Sequence, residues 1–193
     1  MTGLGSLVIL RTGGAGRQMR YSGRVSNEAI TLRAATPNDD EALTALIGAA
    51  YGALERGRYA TGMLEAALPL MSRANPKLLA GGTYYVAEIG GEPVACGGWS
   101  FQAPGTGETI EGVTHIRHFA THPDHVRKGI ARLLLDHCLS EAADSGAATM
   151  RAQATLQAEP FYSAAGFRRT GEVQAQLGAG IALPAIEMER PLP

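Results

Sequence analysis

Apolar residues recur along this chain with two different periods, and the switches between them lay out its elements. Ala29 to Arg33 alternates apolar and polar, as a half-buried strand does. Thr36-Pro37-Asn38-Asp39 follows, supplying an N-cap, a proline for the first helical position and an acid at N3. Leu43, Leu46, Ile47, Ala50, Tyr51 and Leu54 then repeat at spacings of three and four, which predicts a helix through about Glu55. A similar period in Met63, Leu64, Ala67, Leu68 and Met71 predicts a second helix over Thr61 to Met71. Thr83 to Ile89 and Pro93 to Phe101 are rich in β-formers, and Gly90-Gly91 between them suits a tight hairpin turn. A glycine-rich loop, Gly105 to Gly112, leads to a third strand, Val113 to Thr121. His122-Pro123-Asp124-His125 turns the chain, and Val126, Ile130, Leu133, Leu134, His137, Cys138 and Ala142 mark a long amphipathic helix ending near Gly146. A short strand at Thr149 to Ala154, a short helix at Ala158 to Ala165 stopped by Gly166, and final strands at 167 to 174 and 181 to 189 complete the pattern.

Composition fits one ordinary globular domain: 193 residues, 45% apolar and 18% charged. No apolar run approaches the roughly 20 residues that cross a bilayer, so a soluble, cytoplasmic protein without a membrane partner is expected. Cys96 and Cys138 form neither a disulfide framework nor a C-x-x-C zinc pair, and read as buried residues in a reducing compartment. The net charge of -1 argues against nucleic acid as a partner. That total conceals unlike parts. Residues 1 to 27 hold four arginines and no acid, residues 28 to 112 five basic and ten acidic residues, and residues 113 to 193 eight of each. The first of these parts also carries six glycines and no sustained period; it reads as a leader outside the fold, leaving 28 to 193 as the domain. A phosphate loop after Leu7 to Leu10 fails, because Met19 stands where the third glycine of a dinucleotide fingerprint would be.

The segment Phe119-Ala120-Thr121-His122-Pro123-Asp124-His125-Val126-Arg127-Lys128-Gly129-Ile130-Ala131-Arg132 carries the most chemistry. A strand ends, a proline turns the chain, and glycine with basic neighbours opens a helix. Such a terminus offers unpaired N–H groups and the positive end of the helix dipole to an anion, and Gly129 lets that anion approach the backbone. Arg127, Lys128 and Arg132 also read as an ordinary solvated first turn. Three cations there nevertheless oppose the dipole, a penalty that a bound polyphosphate removes. The second segment, Ala154 to Phe167, joins a strand to a short helix containing Phe161-Tyr162 and closes on Gly166-Phe167.

Together the two segments resemble the GNAT family, the acetyl-CoA-dependent N-acetyltransferases. The first corresponds to that family's Q/R-x-x-G-x-G/A motif and the second to its F-Y-x-x-x-G-F element, and the order of elements from about residue 29 to 190 fits as well. The resemblance implies an α+β domain with three layers, α/β/α, around a mixed and largely antiparallel sheet. It implies acetyl-CoA as co-substrate and transfer of acetyl to a primary amine in a direct ternary complex. The backbone of Phe119, Ala120 and Thr121 would hold the acetyl carbonyl and the pantetheine arm, Arg127, Lys128, Gly129, Ile130, Ala131 and Arg132 the pyrophosphate, and Tyr162 would protonate the departing thiolate. Val126 and Thr155 depart from the family's usual Arg or Gln and Asn. Those departures favour the alternative of a non-catalytic acyl-CoA-binding regulatory or interaction module.

Moving acetyl from a thioester to an amine also needs a proton acceptor. His115 is the candidate, read as sharing a strand face with Phe119 and facing away from His118; Glu111 and a water chain compete with it. The five histidines show no metal spacing, and the chemistry requires no metal. Acceptor recognition, of a small-molecule or peptide amine, is expected from Tyr51, Glu55, Arg58, Tyr59 and Trp99. The acidic middle of the chain suits a cationic amine. A homodimer is an open option, since dimers are frequent among the proteins this chain resembles.

Overall fold

A computed structural model describes residues 29–54 and 56–193, together with the backbone of 7–8 and 19–21. In chain order the elements are β1 (Leu7–Val8), β2 (Met19–Tyr21), β3 (Ile30–Ala34), α1 (Asp40–Gly52), α2 (Met63–Met71), α3 (Pro76–Leu79), β4 (Tyr84–Ile89), β5 (Glu92–Ser100), β6 (Val113–Thr121), α4 (Ile130–Asp144), β7 (Thr149–Thr155), α5 (Glu159–Ala164), β8 (Arg168–Gly178) and β9 (Ile181–Pro191). The strands form one sheet in the order β1-β2-β3-β4-β5-β6-β7-β9-β8. Every pairing is antiparallel except β6 with β7, which α4 joins by a crossover. The two short segments β1 and β2 continue the sheet beyond β3. The rest of the 1–27 stretch read as a leader lies outside the described residues.

Helices cover both sheet faces, so the α+β, three-layer architecture expected from sequence is present. On one face α4 and α5 bury Ile130, Leu134, Leu135, Cys138 and Tyr162 against Trp99, Ile116, Met150, Ile186 and Met188. On the other, α1 and α3 bury Leu43, Leu46, Ile47, Leu78 and Leu79 against Tyr84, Val86, Cys96 and Ala120. A smaller cluster joins α2 to β9 through Leu64, Ala67, Met71 and Leu183, with Tyr59 at its edge. Among the described residues no helix is long and apolar enough to cross a membrane.

Local chemistry explains where the elements begin and end. Gly90 and Gly91 both adopt positive φ (60° and 90°), the conformation of a two-residue hairpin turn. Thr36 starts the first helical turn, its N–H and hydroxyl donating to the Asp39 carboxylate at 2.7 and 2.9 Å. Arg33 clamps the same carboxylate at 2.6 Å and Glu88 at 2.8 Å, joining β3, β4 and the start of α1. The hydrogen-bonded guanidinium, more than the burial that opposes it, draws Asp39 down to about 2. The long helix starts at Ile130 rather than Val126, because Arg127 and Gly129 take left-handed φ values of 63° and 76° that a right-handed helix cannot include. The periodicity did not predict α3, although Asn75 caps it through the Lys77 N–H at 3.0 Å and Pro76 occupies its first position.

Candidate active site

The sheet opens at its one parallel junction. β6 and β7 pair at Val113–Thr149, Thr114–Met150 and His115–Arg151, and then part. Residues 116–121 of β6 therefore run on without a strand partner on that side, while β7 stays bonded to β9 as far as Thr155–Ala185. The result is a V whose apex is His115 and Arg151, with main-chain groups along its β6 arm.

A bulge shapes that arm. Cys96 pairs with Ala120 and Gly98 with Arg117, so Gly97 faces both His118 and Phe119. His118 takes the extra residue's place with φ at +52°, a conformation L side chains seldom adopt. Side chains from distant elements hold it there. The Tyr84 hydroxyl donates to the His118 carbonyl at 2.8 Å, and the Tyr51 hydroxyl to the Phe119 carbonyl at 3.2 Å. The His118 ring stacks on Tyr51 with centroids 5.5 Å apart, and its Nε2 lies 2.7 Å from the Met71 carbonyl at the end of α2. Burial shifts the His118 pKa down.

The bulge inverts two expectations drawn from strand alternation. Ile116 and Phe119 both belong to the α4 side of the sheet, and the Phe119 ring lies over Gly97. His115, next to Ile116 in a regular stretch of strand, faces the opposite side. It therefore does not share a face with Phe119, and it shares one with His118, which reaches toward α1 and α2. The His115 Nε2 is buried without a hydrogen-bond partner among the described residues. Burial, assisted by the Arg151 and Arg117 charges, draws its pKa down to about 4, so the ring is neutral at pH 7. Glu111 is exposed in the loop before β6.

At the wide end of the V, Val126 is extended and Arg127 and Gly129 are left-handed before α4 begins. Turns of this kind aim successive N–H groups into one concavity. Among the described residues those of 127 to 132 have no carbonyl partner; the helical ladder starts with Leu133 donating to Gly129 at 3.0 Å. Arg127, Lys128 and Gly129 are exposed here, as is Val126, and Ile130 is buried beneath them. Arg132 is turned aside: it donates to Asp136 at 2.9 Å and to the Ala164 carbonyl at 3.1 Å, tying α4 to α5. The cradle's side-chain charge thus comes from Arg127 and Lys128.

Tyr162 is buried in the α4-side core, with Phe161 and Phe167 edge-on at 5.0 and 5.3 Å. Burial, with a smaller contribution from Cys138, raises its pKa, so the phenol stays protonated. Burial raises the pKa of Tyr51, with smaller contributions from the nearby Tyr162 and Tyr59. The Tyr59 hydroxyl accepts from the Leu156 N–H at 3.1 Å, just past the end of β7. Of the other expected acceptor residues, Trp99 is 3% exposed and packs in the α4-side core, with part of its surface lining a cavity beside Ser100 and Arg117. Arg58 is exposed, and Glu55 lies outside the described residues.

The comparisons with known proteins agree with this geometry. No curated protein sequence matches the chain. Among solved structures it is similar to a GCN5-related N-acetyltransferase from Rhodopseudomonas palustris, with a TM-score of 0.69 and 21% identity over 83% of this chain and 94% of that one. It is also similar to the PaiA N-acetyltransferase of Thermoplasma acidophilum, solved in complex with coenzyme A, with a TM-score of 0.63 and 15% identity over 84% and 98%. A third is Ard1 of Thermoplasma volcanium, with a TM-score of 0.61 and 20% identity over 85% and 98%. At these identities the likeness is one of fold. The model of the GNAT acetyltransferase domain matches residues 77–190, more than half of the chain and including both strands of the V, and this chain therefore belongs to the GNAT acetyltransferase family.

Proposed function

We propose that the protein transfers acetyl from acetyl-CoA directly to the nitrogen of a primary amine, with both substrates bound together in the V. The observation that carries this is the alignment of three features along one path: the open β6 arm, the cradle of amides before α4, and the protonated Tyr162. The pyrophosphate lies on the amides of 127 to 131, with Arg127 and Lys128 beside it. The pantetheine arm runs along β6 as an added strand, and the thioester carbonyl reaches the bulge at Phe119. The amine nitrogen attacks the carbonyl carbon. As the C–S bond breaks, Tyr162 donates its proton to the sulfur, and the nitrogen gives up one proton. We assign that proton to His115, whose neutral ring has a free Nε2 on the acceptor-side face. With a pKa near 4 it holds the proton only in passing before water takes it.

Isothermal calorimetry with acetyl-CoA, followed by a free-thiol release assay across a diverse amine panel, tests the proposal. Tyr162→Phe should lower kcat about 100-fold, within the range for loss of a general acid, while the acetyl-CoA Kd stays within about threefold. Absence of acetyl-CoA binding refutes the reading. Binding without thiol release on any amine favours the non-catalytic acyl-CoA module, which the departures at Val126 and Thr155 suggest.

A further inference from the structure

A cavity of about 570 Å³ opens over the β5–β6 face, beside Arg117 on the β6 arm of the V. Its walls are α3, the residue before β4, the end of β5 with the loop after it, and Arg117 of β6. The volume falls in the range of small-molecule pockets. Leu78 and Phe101 give it apolar walls, and Ser100 and Gln102 polar ones.

Its charge is one-sided. Arg117 and Lys77 line it, and no aspartate or glutamate does among the described residues. The half-buried Arg117 guanidinium donates through Nη1 to the Ser100 hydroxyl at 2.7 Å and to the Gln102 carbonyl at 3.2 Å, both neutral acceptors. Several other arginines meet carboxylates: Arg33 with Asp39 and Glu88, Arg132 with Asp136, Arg169 with Glu172. Burial lowers the Arg117 pKa, the direction expected of a cation short of a counter-charge. The acids of the middle segment that suggested a cationic site are in part consumed elsewhere, since Asp39 and Glu88 both serve Arg33.

Arg117 also has a telling position. It immediately precedes the bulge and stands two residues from Phe119, where the thioester carbonyl is assigned. A molecule whose amine reaches that carbonyl can rest an anionic group on the guanidinium. We propose that the cavity receives the carboxylate of the acceptor, so that the substrate is an amino acid rather than a simple amine or polyamine. This deepens the N-acetyltransferase reading and rests on it.

The test compares glycine, alanine, glutamate and lysine with their carboxamides in the thiol-release assay, for wild type, Arg117→Gln and Arg117→Lys. Calorimetry of the N-acetyl acids and N-acetyl carboxamides runs beside it as a readout independent of turnover. Wild type should prefer at least one free acid over its carboxamide by tenfold or more in kcat/KM. Arg117→Gln should lose roughly ten- to hundredfold on that acid, the range for a charged hydrogen bond, mainly through KM, and change its carboxamide rate by less than about threefold. Arg117→Lys should recover part of the preference. Equal use of acids and carboxamides overturns the inference, as does an equal loss on both in Arg117→Gln. If no amine turns over, N-acetyl acids that bind no tighter than their carboxamides overturn it, and tighter binding abolished by Arg117→Gln supports it. Acetyl-CoA binding separates the two levels: its absence removes the parent reading, whereas its presence without any acid preference removes this inference alone.

Discussion

Gly97→Ala probes how the Phe119 ring is tied to the bulge. A Cβ built on Gly97 lies 2.7 Å from Phe119 Cγ and 2.6 Å from Cε2. Reaching ordinary contact at 3.4 Å requires the ring to retreat by at least 0.7 Å from Cγ alone. Gly97 does not adopt a positive φ, so the penalty is steric rather than conformational. Overpacking on this scale costs about 1–3 kcal/mol. The Tyr51 hydroxyl already stands 3.2 Å from the Phe119 carbonyl, so movement of that residue forfeits a hydrogen bond worth a further ~1 kcal/mol. Urea unfolding should report a loss of about 2–4 kcal/mol, and calorimetry a weakened acetyl-CoA affinity, because the carbonyl-binding stretch moves with the ring. Adding Phe119→Leu to Gly97→Ala should restore at least half of the stability. Gly98→Ala is the control, since its Cβ meets main chain, the Thr83 carbonyl and Tyr84 Cα at 2.7 Å, which trimming Phe119 cannot relieve. A Gly97→Ala protein within about 0.5 kcal/mol of wild type, or an equal rescue of both alanines by Phe119→Leu, would refute the reasoning.

Three further outcomes are expected. Gly129→Ala should cost about 1–2 kcal/mol for placing an L residue at φ +76° and weaken acetyl-CoA binding tenfold or more; an unchanged Kd would detach the cradle from the cofactor. Below pH 6.5 the unfolded chain protonates His115 while the fold resists until about 4, so its contribution is fully present above 6.5 and lost as pH falls between those values. At 1.36 kcal/mol per pKa unit that gap is roughly 3 kcal/mol, of order 2 after allowance for residual solvation; urea midpoints from pH 7.5 to 4.5 should fall less steeply in His115→Gln, and identical slopes would exclude the effect. Cys96 and Cys138 are wholly buried, with burial pushing the Cys96 thiol up to about 12, so a thiol reagent should find neither in the native protein; rapid native labelling would contradict the packing.

Much of the fold was legible because its causes are local. Alternation marked β3, richness in β-formers β4 and β5, Gly90-Gly91 the hairpin, and Gly129 and Gly166 the two ends that the motifs need. What stayed hidden depends on residues far apart in the chain. Nothing in Arg117-His118-Phe119 signals a bulge, since Tyr51, Tyr84 and the Met71 carbonyl hold it from 34 to 68 residues away. Alternation therefore put Phe119 on the wrong face. The cavity escaped notice for the same reason: α3 and β5 lend it a few residues each and β6 only Arg117, and the lack of a carboxylate beside Arg117 among the described residues is a property of the assembled surface. By contrast α3 had its signal in Asn75-Pro76, too short for a periodicity to register.

The opening between β6 and β7 is made of main chain. Substitutions that leave the strand extended pass through it without trace, so such a feature can persist while side chains drift. The structural relatives named above share only 15% to 21% of their residues with this chain. The gap is thus recorded in where the sheet fails to close rather than in the residues that line it, and the side chains beside it, Arg117 among them, can change without closing it.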